Sequence, residues 1–349
     1  MPRLRSQLTK SIAMRILIIT DAWSPQVNGV VTTVRNTVRE LEASGHEVGM
    51  ITPAGFRTMP CPTYPEIRLA IAPGTRVCRM IDEFEPDAIH VATEAPLGMA
   101  ARRYCIASGY PFTTAYHTQF PEFIHARCRL PVAVTYRMMR WFHDPSSAVM
   151  VPTAEMLRRL KVRGFTNLAY WSRGVDTAIF APAERLSLAG RPIFLYAGRV
   201  AVEKSLEDFL ELDLPGTKWV VGDGPARAGL ESRFPAAVFH GMKYGAELAY
   251  YYQQADVFVF PSRTDTFGLV LIEAMACGTP VAAYPVSGPI DVVREPSVGI
   301  LSDNLRDAAL AVLDLDRTAV HRYARQYSWT AATHQFASHL RPLRIAAAA

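Results

Sequence analysis

Short apolar runs alternate along this chain with stretches of helical character, and polar or glycine-bearing loops separate them. The first run, Ile16–Thr20, reads as a strand; after the loop Asp21–Asn28 a helix is predicted from Gly29 to Ser44. Gly45 is a good stop for that helix, and His46–Thr52 is the next strand. The alternation continues with a helix over Gly74–Phe84, a strand over Ala88–Val91, a helix over Ala95–Ser108 and a strand over Phe112–Tyr116. A mixed region, Glu122–Phe142, precedes a strand at Ala148–Pro152 and a helix at Ala154–Arg163. Pro182–Arg191 is polar and bounded by Pro and Gly, as a linker would be. Strands are then predicted at Ile193–Ala197, Trp219–Val221, Val238–His240, Asp256–Phe260 and Pro280–Tyr284, with a last helix over Trp329–Arg344.

Strand–helix alternation of this kind argues for parallel, doubly wound sheets. A chain of 349 residues exceeds one typical core. The expected fold class is therefore α/β, with two Rossmann-like doubly wound domains facing a cleft. The first spans 1–185, with 1–13 as an extension outside the fold; the second spans 191–328, and 329–345 forms a C-terminal helix. Ligands are expected at the facing strand ends.

Composition narrows the function. Five cysteines are scattered without a CxxC or metal spacing, which fits a reducing compartment and mostly buried thiols; Cys277 reads as packing. No stretch approaches the eighteen or so apolar residues of a membrane span, and the basic first dozen residues lack a secretory core. The net charge of +5 is uneven: residues 1–185 carry 22 Lys/Arg against 15 Asp/Glu, so the excess sits in the first half. A basic half suits nucleic acid, an anionic membrane surface or an anionic acceptor; base-stacking and basic nucleic-acid motifs are absent, so the membrane reading leads and no nucleic acid is expected.

The most informative stretch is Pro261–Pro280 (PSRTDTFGLVLIEAMACGTP), where a strand passes through a polar loop into a helix starting near Phe267-Gly268. A helix N-terminus offers unpaired N–H groups and partial positive charge to a diphosphate, and a carboxylate further along accepts from sugar hydroxyls. Asp265 and Glu273 stand with seven residues between them. The segment resembles the acidic pair of retaining glycosyltransferases of family 4, which have the two-domain GT-B fold. It departs from their pattern in carrying Asp265 where the family has Glu, one methylene shorter. The strand end Gly198-Arg199 with Glu203-Lys204 resembles the family's G-R-x(3)-E-K signature.

The resemblance implies roles for residues that match. Arg199 and Lys204 would bind the donor's phosphates and stabilise the leaving group, with Gly198 allowing close approach and Glu203 structural. Asp265 would hold the sugar hydroxyls and Glu273 the ribose, while backbone N–H groups across Thr266, Phe267, Gly268 and Leu269 face the diphosphate. His117, at the end of a first-domain strand, would contact the donor sugar across the cleft. Gly29, in Asn28-Gly29-Val30, would lie near donor phosphate and acceptor; that loop lacks the G-x-G-x-x-G of nicotinamide and flavin enzymes. Arg173, in Trp171-Ser-Arg-Gly-Val-Asp176, is a further donor-side candidate. Gly222-Asp-Gly-Pro225 and His240-Gly-Met-Lys243 recur near the nucleotide pocket but are equally explained as turns. No metal and no cofactor are expected: Asp314-Leu-Asp316 is a D-x-D by letter only and reads as a solvated helix face. The C-terminal helix would cross back to the first domain.

What the resemblance implies is a retaining hexosyltransferase using a nucleoside diphosphate sugar. The runs Gly29–Glu40, Thr264–Glu273 and Pro285–Asp291 are similar to bacterial glycolipid synthases and GDP-mannose-dependent α-mannosyltransferases, which favours a lipid acceptor. Met138, Met139 and Trp141 among Arg127, Arg129, Arg137 and Arg140 fit either a membrane-docking face or a core face. The expected place is the cytoplasm and the inner face of the membrane. Transfer to a soluble or polysaccharide acceptor remains open, as does an epimerase or a catalytically weak nucleotide-sugar-binding membrane protein.

Overall fold

The computed structural model describes residues 13–26, 28–61 and 64–343. The expected N-terminal extension, apart from Ala13, and the end of the predicted C-terminal helix at Arg344 lie outside these. The first sheet collects β1 (Arg15–Ile19), β2 (Glu47–Ile51), β5 (Ala88–Val91), β6 (Thr113–Ala115), β7 (Ala148–Val151) and β8 (Leu168–Tyr170), in the order β2-β1-β5-β6-β7-β8 and all parallel. Between β2 and β5 lies an antiparallel hairpin, β3 (Thr58–Cys61) with β4 (Tyr64–Ala70). The second sheet collects β9 (Ile193–Ala197), β10 (Thr217–Val221), β11 (Val238–Gly241), β12 (Val257–Phe260), β13 (Val281–Ala283) and β14 (Gly299–Leu301), again all parallel, in the order β11-β10-β9-β12-β13-β14.

The central strands are apolar along their whole length because helices cover both faces. β7 (AVMV), β9 (IFLYA) and β12 (VFVF) have every residue buried. Parallel strands need crossover connections, so the loops that leave their carboxyl ends gather on one edge. Strand order reverses between β1 and β5 in the first sheet and between β9 and β12 in the second. Each reversal splays two such loops apart and opens a crevice.

The C-terminal helix, Trp329–His339, starts at Ser328, whose hydroxyl accepts from the Ala331 N–H. Its apolar face belongs to the first sheet: Phe336 and Leu340 share a core with Ile16, Ile18, Val34 and Trp171. The Phe336 ring meets His90 at 4.8 Å and Trp171 at 5.0 Å.

Some expectations need correction. The mixed region is two helices, Phe120–Cys128 and Val132–His143, and the second divides the candidate face: Met139 and Phe142 are buried, while Met138 and Trp141 are 59% and 55% exposed. Asp314 and Asp316 are not on a helix face; they lie between the helices Leu305–Ala311 and Arg317–Ala324, and Asp316 caps the latter through the Thr318 N–H. Among the cysteines with described side chains, Cys105 and Cys277 are buried but Cys61 and Cys78 are only partly so. No helix among the described residues is long and apolar enough to cross a membrane.

Phe336 is fully buried between the C-terminal helix and the first sheet. Phe336→Ala is expected to cost about 3–5 kcal/mol, the usual loss for truncating a core Phe, read as a shift in the urea-unfolding midpoint with an unchanged slope.

Candidate functional site

The crevice of the second sheet is built by the loops after β9 and β12. After β9, Gly198 has φ +150°, and an added Cβ would stand 3.0 Å from the Tyr196 hydroxyl, so the chain turns here only as glycine. Arg199 follows, half-buried, and a short 3-10 turn, Val202–Lys204, aims Lys204 back at the crevice. There Lys204 Nζ donates to both oxygens of Asp265, at 2.6 and 2.8 Å, with both side chains 19% exposed. Two residues with separate expected roles therefore form one ion pair across the switch point.

Gly268 closes the β12 loop with φ +85° and opens the helix Leu269–Ala276. Phe267 is a core residue, its ring 6.0 Å from Tyr327, so only its backbone is available to a ligand. Glu273 lies on that helix and accepts from the Tyr252 hydroxyl at 3.0 Å. Burial raises its pKa to about 7, against the lowering by that hydrogen bond. The turn at Gly222 has a packing reason, since a Cβ there would fall 1.8 Å from the Gly198 carbonyl oxygen. His240 packs between Trp219 and Tyr251, its Nε2 buried without a partner.

The opposite wall comes from the first sheet. His117 follows β6, with Arg173 Nη2 3.4 Å from its Nδ1. A guanidinium only donates, so Nδ1 is the acceptor and the ring proton sits on Nε2, which is buried and unpartnered. Burial, with Arg173 beside it, holds the His117 pKa well below its usual value, so the ring is neutral. Arg173 is itself buried, stacks at 4.2 Å over Trp171 and donates to the Trp171 and Ser172 carbonyls. Burial lowers its pKa to about 9. Gly29 opens the helix Gly29–Ala43, capped by Asn28, whose Oδ1 accepts from the Val30 and Val31 N–H groups. A Cβ on Gly29 would lie 3.8 Å from Leu269 Cδ1, so the two walls are in van der Waals reach.

Hydrogen bonds stitch the walls together. Gln119 Nε2 donates to the Asp265 carbonyl at 3.0 Å, Thr266 Oγ1 to the His117 carbonyl at 2.8 Å, and Thr153 Oγ1 to the Thr266 carbonyl at 3.4 Å. Farther out, the Glu155 N–H donates to Asp291 and Arg159 to Ser287. Among the described residues no three His, Cys, Asp or Glu side chains cluster as metal ligands would.

The structure thus brings Gly198, Lys204, Asp265 and Thr266 together, bonds Thr266 to the backbone of His117, keeps Arg173 behind His117 against Trp171 and Ser172, and sets Glu273 farther along its helix. Sequence reading did not find Gln119, Thr153, Tyr252 or the buried Asp21, although Asp21 and Gln119 lie within the two loops it singled out. Asp21 accepts from Thr93 and from the Leu97 and Gly98 N–H groups, and burial raises its pKa to about 6.

Two family models divide the chain at the same place as the sheets: "Glycosyltransferase Family 4" matches residues 27–179 and "Glycosyl transferases group 1" matches residues 191–316. A GDP-mannose-dependent alpha-mannosyltransferase of Mycobacterium tuberculosis is 31% identical over 82% of this chain and 83% of its own length. An alpha-monoglucosyldiacylglycerol synthase of Streptococcus pneumoniae is 27% identical over 86% of this chain and 78% of its own. In fold, the chain is similar to the sucrose-phosphate synthase of Thermosynechococcus elongatus, with a TM-score of 0.72 at 20% identity, covering 93% of this chain and 97% of that one. With two doubly wound domains stitched across a cleft, both family models in register and a relative above 30% identity along most of its length, the chain belongs to the family 4, group 1 glycosyltransferases and is a glycosyltransferase.

Proposed function

We propose that the protein is a retaining hexosyltransferase that moves a hexose from a nucleoside diphosphate sugar to a hydroxyl of a lipid acceptor. The observation that carries this reading is the Lys204–Asp265 pair at the second switch point, in a loop whose Thr266 hydroxyl donates to the His117 carbonyl of the opposite wall. A cation for phosphate, a carboxylate for sugar hydroxyls and a neutral donor on the far wall match a diphosphate-linked sugar lying across the cleft. When the donor binds, Lys204 exchanges Asp265 for a phosphate oxygen, and Asp265 accepts from the sugar. Glu273 accepts from the ribose. Cleavage of the anomeric C–O bond leaves oxocarbenium character on the sugar and negative charge on the departing phosphate. Lys204, Arg199 and the N–H groups over Thr266–Leu269 stabilise that charge without a metal ion. The departing phosphate oxygen takes the proton of the acceptor hydroxyl, which attacks from the same face and so retains configuration. Arg173 holds the His117 ring in its donating tautomer.

The lipid acceptor is supported by the helix Val132–His143. It exposes Met138 and Trp141 beside Arg137 and Arg140, an apolar and cationic surface suited to an anionic bilayer. The relative named for a glucosyldiacylglycerol product points the same way.

The decisive experiment incubates the protein with membrane lipid extract and UDP-glucose, UDP-glucuronate or GDP-mannose, and weighs the products in the organic phase. A hexose- or hexuronate-sized mass gain with one donor is expected. Donor consumption without an organic-phase product would move the acceptor to water, and no consumption would overturn transfer. Lys204→Ala should lower kcat by about 100-fold or more, the usual loss on removing a group that stabilises developing charge, with nucleotide release as the readout.

Glu273 gives a pH prediction. Only its carboxylate form accepts two ribose hydroxyls, so nucleotide affinity should rise between pH 6 and 8, through the pKa of about 7. Glu273→Gln should flatten that profile in a titration calorimeter. The sign for stability is the reverse: a carboxyl whose pKa is raised on folding destabilises the fold above pH 7, and that cost disappears as pH falls to the unfolded value near 4.5. Glu273→Gln should therefore melt no lower than wild type at pH 8.

A further inference from the structure

The first sheet has its own crevice, between β1 and β5, and the proposed donor site does not use it. The β5 loop there carries Glu94, whose side chain is 12% exposed. One of its oxygens accepts from Nε2 of His143 at 3.1 Å. His143, at the end of the helix Val132–His143, is fully buried against the rings of Phe142 and Phe165. Its other nitrogen lies 2.8 Å from Thr114 Oγ1 on β6, and Thr114 is 3.1 Å from Ser146 Oγ. Ser146 donates to the His143 carbonyl at 2.8 Å, and Asn167 Nδ2 donates to the same carbonyl at 3.2 Å and to the Ser146 carbonyl at 2.6 Å. Thr114 on β6 and Ser146 and Asn167 in two loops thus hold His143, and the His143 ring bonds one oxygen of the carboxylate at the mouth of the crevice. A polar network this deep is costly to bury, and here the Asn167 Oδ1 is left without a partner. A packing role alone would be met by an apolar side chain at 143.

We propose that Glu94 binds the acceptor: held by His143, its carboxylate accepts a hydrogen bond from a hydroxyl of the acceptor entering the β1–β5 crevice. His143 is a positioning residue. Asp21 on the β1 loop is buried and spends both carboxylate oxygens on Thr93, Leu97 and Gly98, so Glu94 is the carboxylate that meets the acceptor, and the group seated against it is a neutral hydroxyl-bearing one and not a phosphate. The inference rests on the transfer reading above.

The test measures nucleotide release from the active donor with and without two acceptor probes: the membrane lipid extract, and the aqueous metabolite extract of the same cells. Nucleotide affinity is measured alongside. Glu94→Ala should leave UDP and GDP affinity within about twofold while lowering extract-stimulated release by about 10- to 100-fold, the worth of one hydrogen bond to a charged group. Glu94→Gln should fall between. His143→Gln keeps an N–H toward Glu94 and should stay within about threefold of wild type; His143→Phe should behave as Glu94→Ala, raising the half-saturating amount of extract more than it lowers the plateau. Stimulated release unchanged in Glu94→Ala would overturn the proposal, as would nucleotide affinity and release falling together, which would mark Glu94 as a structural staple. If neither extract stimulates wild type, the transfer reading fails, which is visible before any variant is made.

Discussion

Two residues of the second domain, Asp265 and Thr266, make three hydrogen bonds across the seam between the two parallel sheets. Their carbonyls accept from Gln119 and Thr153 of the first domain, and the Thr266 hydroxyl donates to the His117 carbonyl. The β12 loop is also pressed from below: a Cβ on Gly288, at φ +95°, would stand 3.0 Å from the Phe267 carbonyl and 3.2 Å from that of Asp265. A loop held by neighbours on both sides is pre-organised, and pre-organisation is what electrostatic catalysis needs from a scaffold.

The charges in the cleft are arranged by the same logic. Lys204 and Asp265 satisfy one another, so neither is a lone charge taken out of water. Arg173 has no carboxylate partner in its described contacts; it relies on two carbonyls and the Trp171 face, and its lowered pKa reflects burial. The product of that arrangement is a histidine with one nitrogen committed and the other free to donate. Burial disfavours charge on His117, so the ring is held in its neutral form.

How much of this could be read from the sequence follows from which signals are local. A parallel strand covered on both faces is an unbroken apolar run, so Ile193–Ala197 and Ala88–Val91 are found to the residue. The edge strands β8 and β14 are three residues long and partly exposed, and carry no such run. The β3–β4 hairpin breaks the strand–helix rhythm and is invisible to a reading built on it. Among site residues, Lys204 and Asp265 were legible because each follows a strong strand, yet their pairing was not, since 61 positions separate them. Glu94 and His143 stand 49 apart, with no local pattern to join them. Short-range sequence gives the loops; only the folded sheet order says which loops share a crevice.

The shorter acid at 265 makes sense in this geometry. A carboxylate's reach is set by where its backbone is held as much as by its length. Gln119 fixes the Asp265 carbonyl from the opposite domain, while both side-chain oxygens lie on Lys204. A side chain one methylene longer, on a backbone fixed in that place, would carry its oxygens past the Lys204 ammonium or fold back against it. The Asp therefore suits a cleft that is already closed and a cation that is already near. Opening the seam would release Gln119 from the Asp265 carbonyl, and the carboxylate would lose one of its two anchors. Closure and the placement of the Asp265 carboxylate are then a single event, because one residue carries both a bond across the seam and the charge held by Lys204.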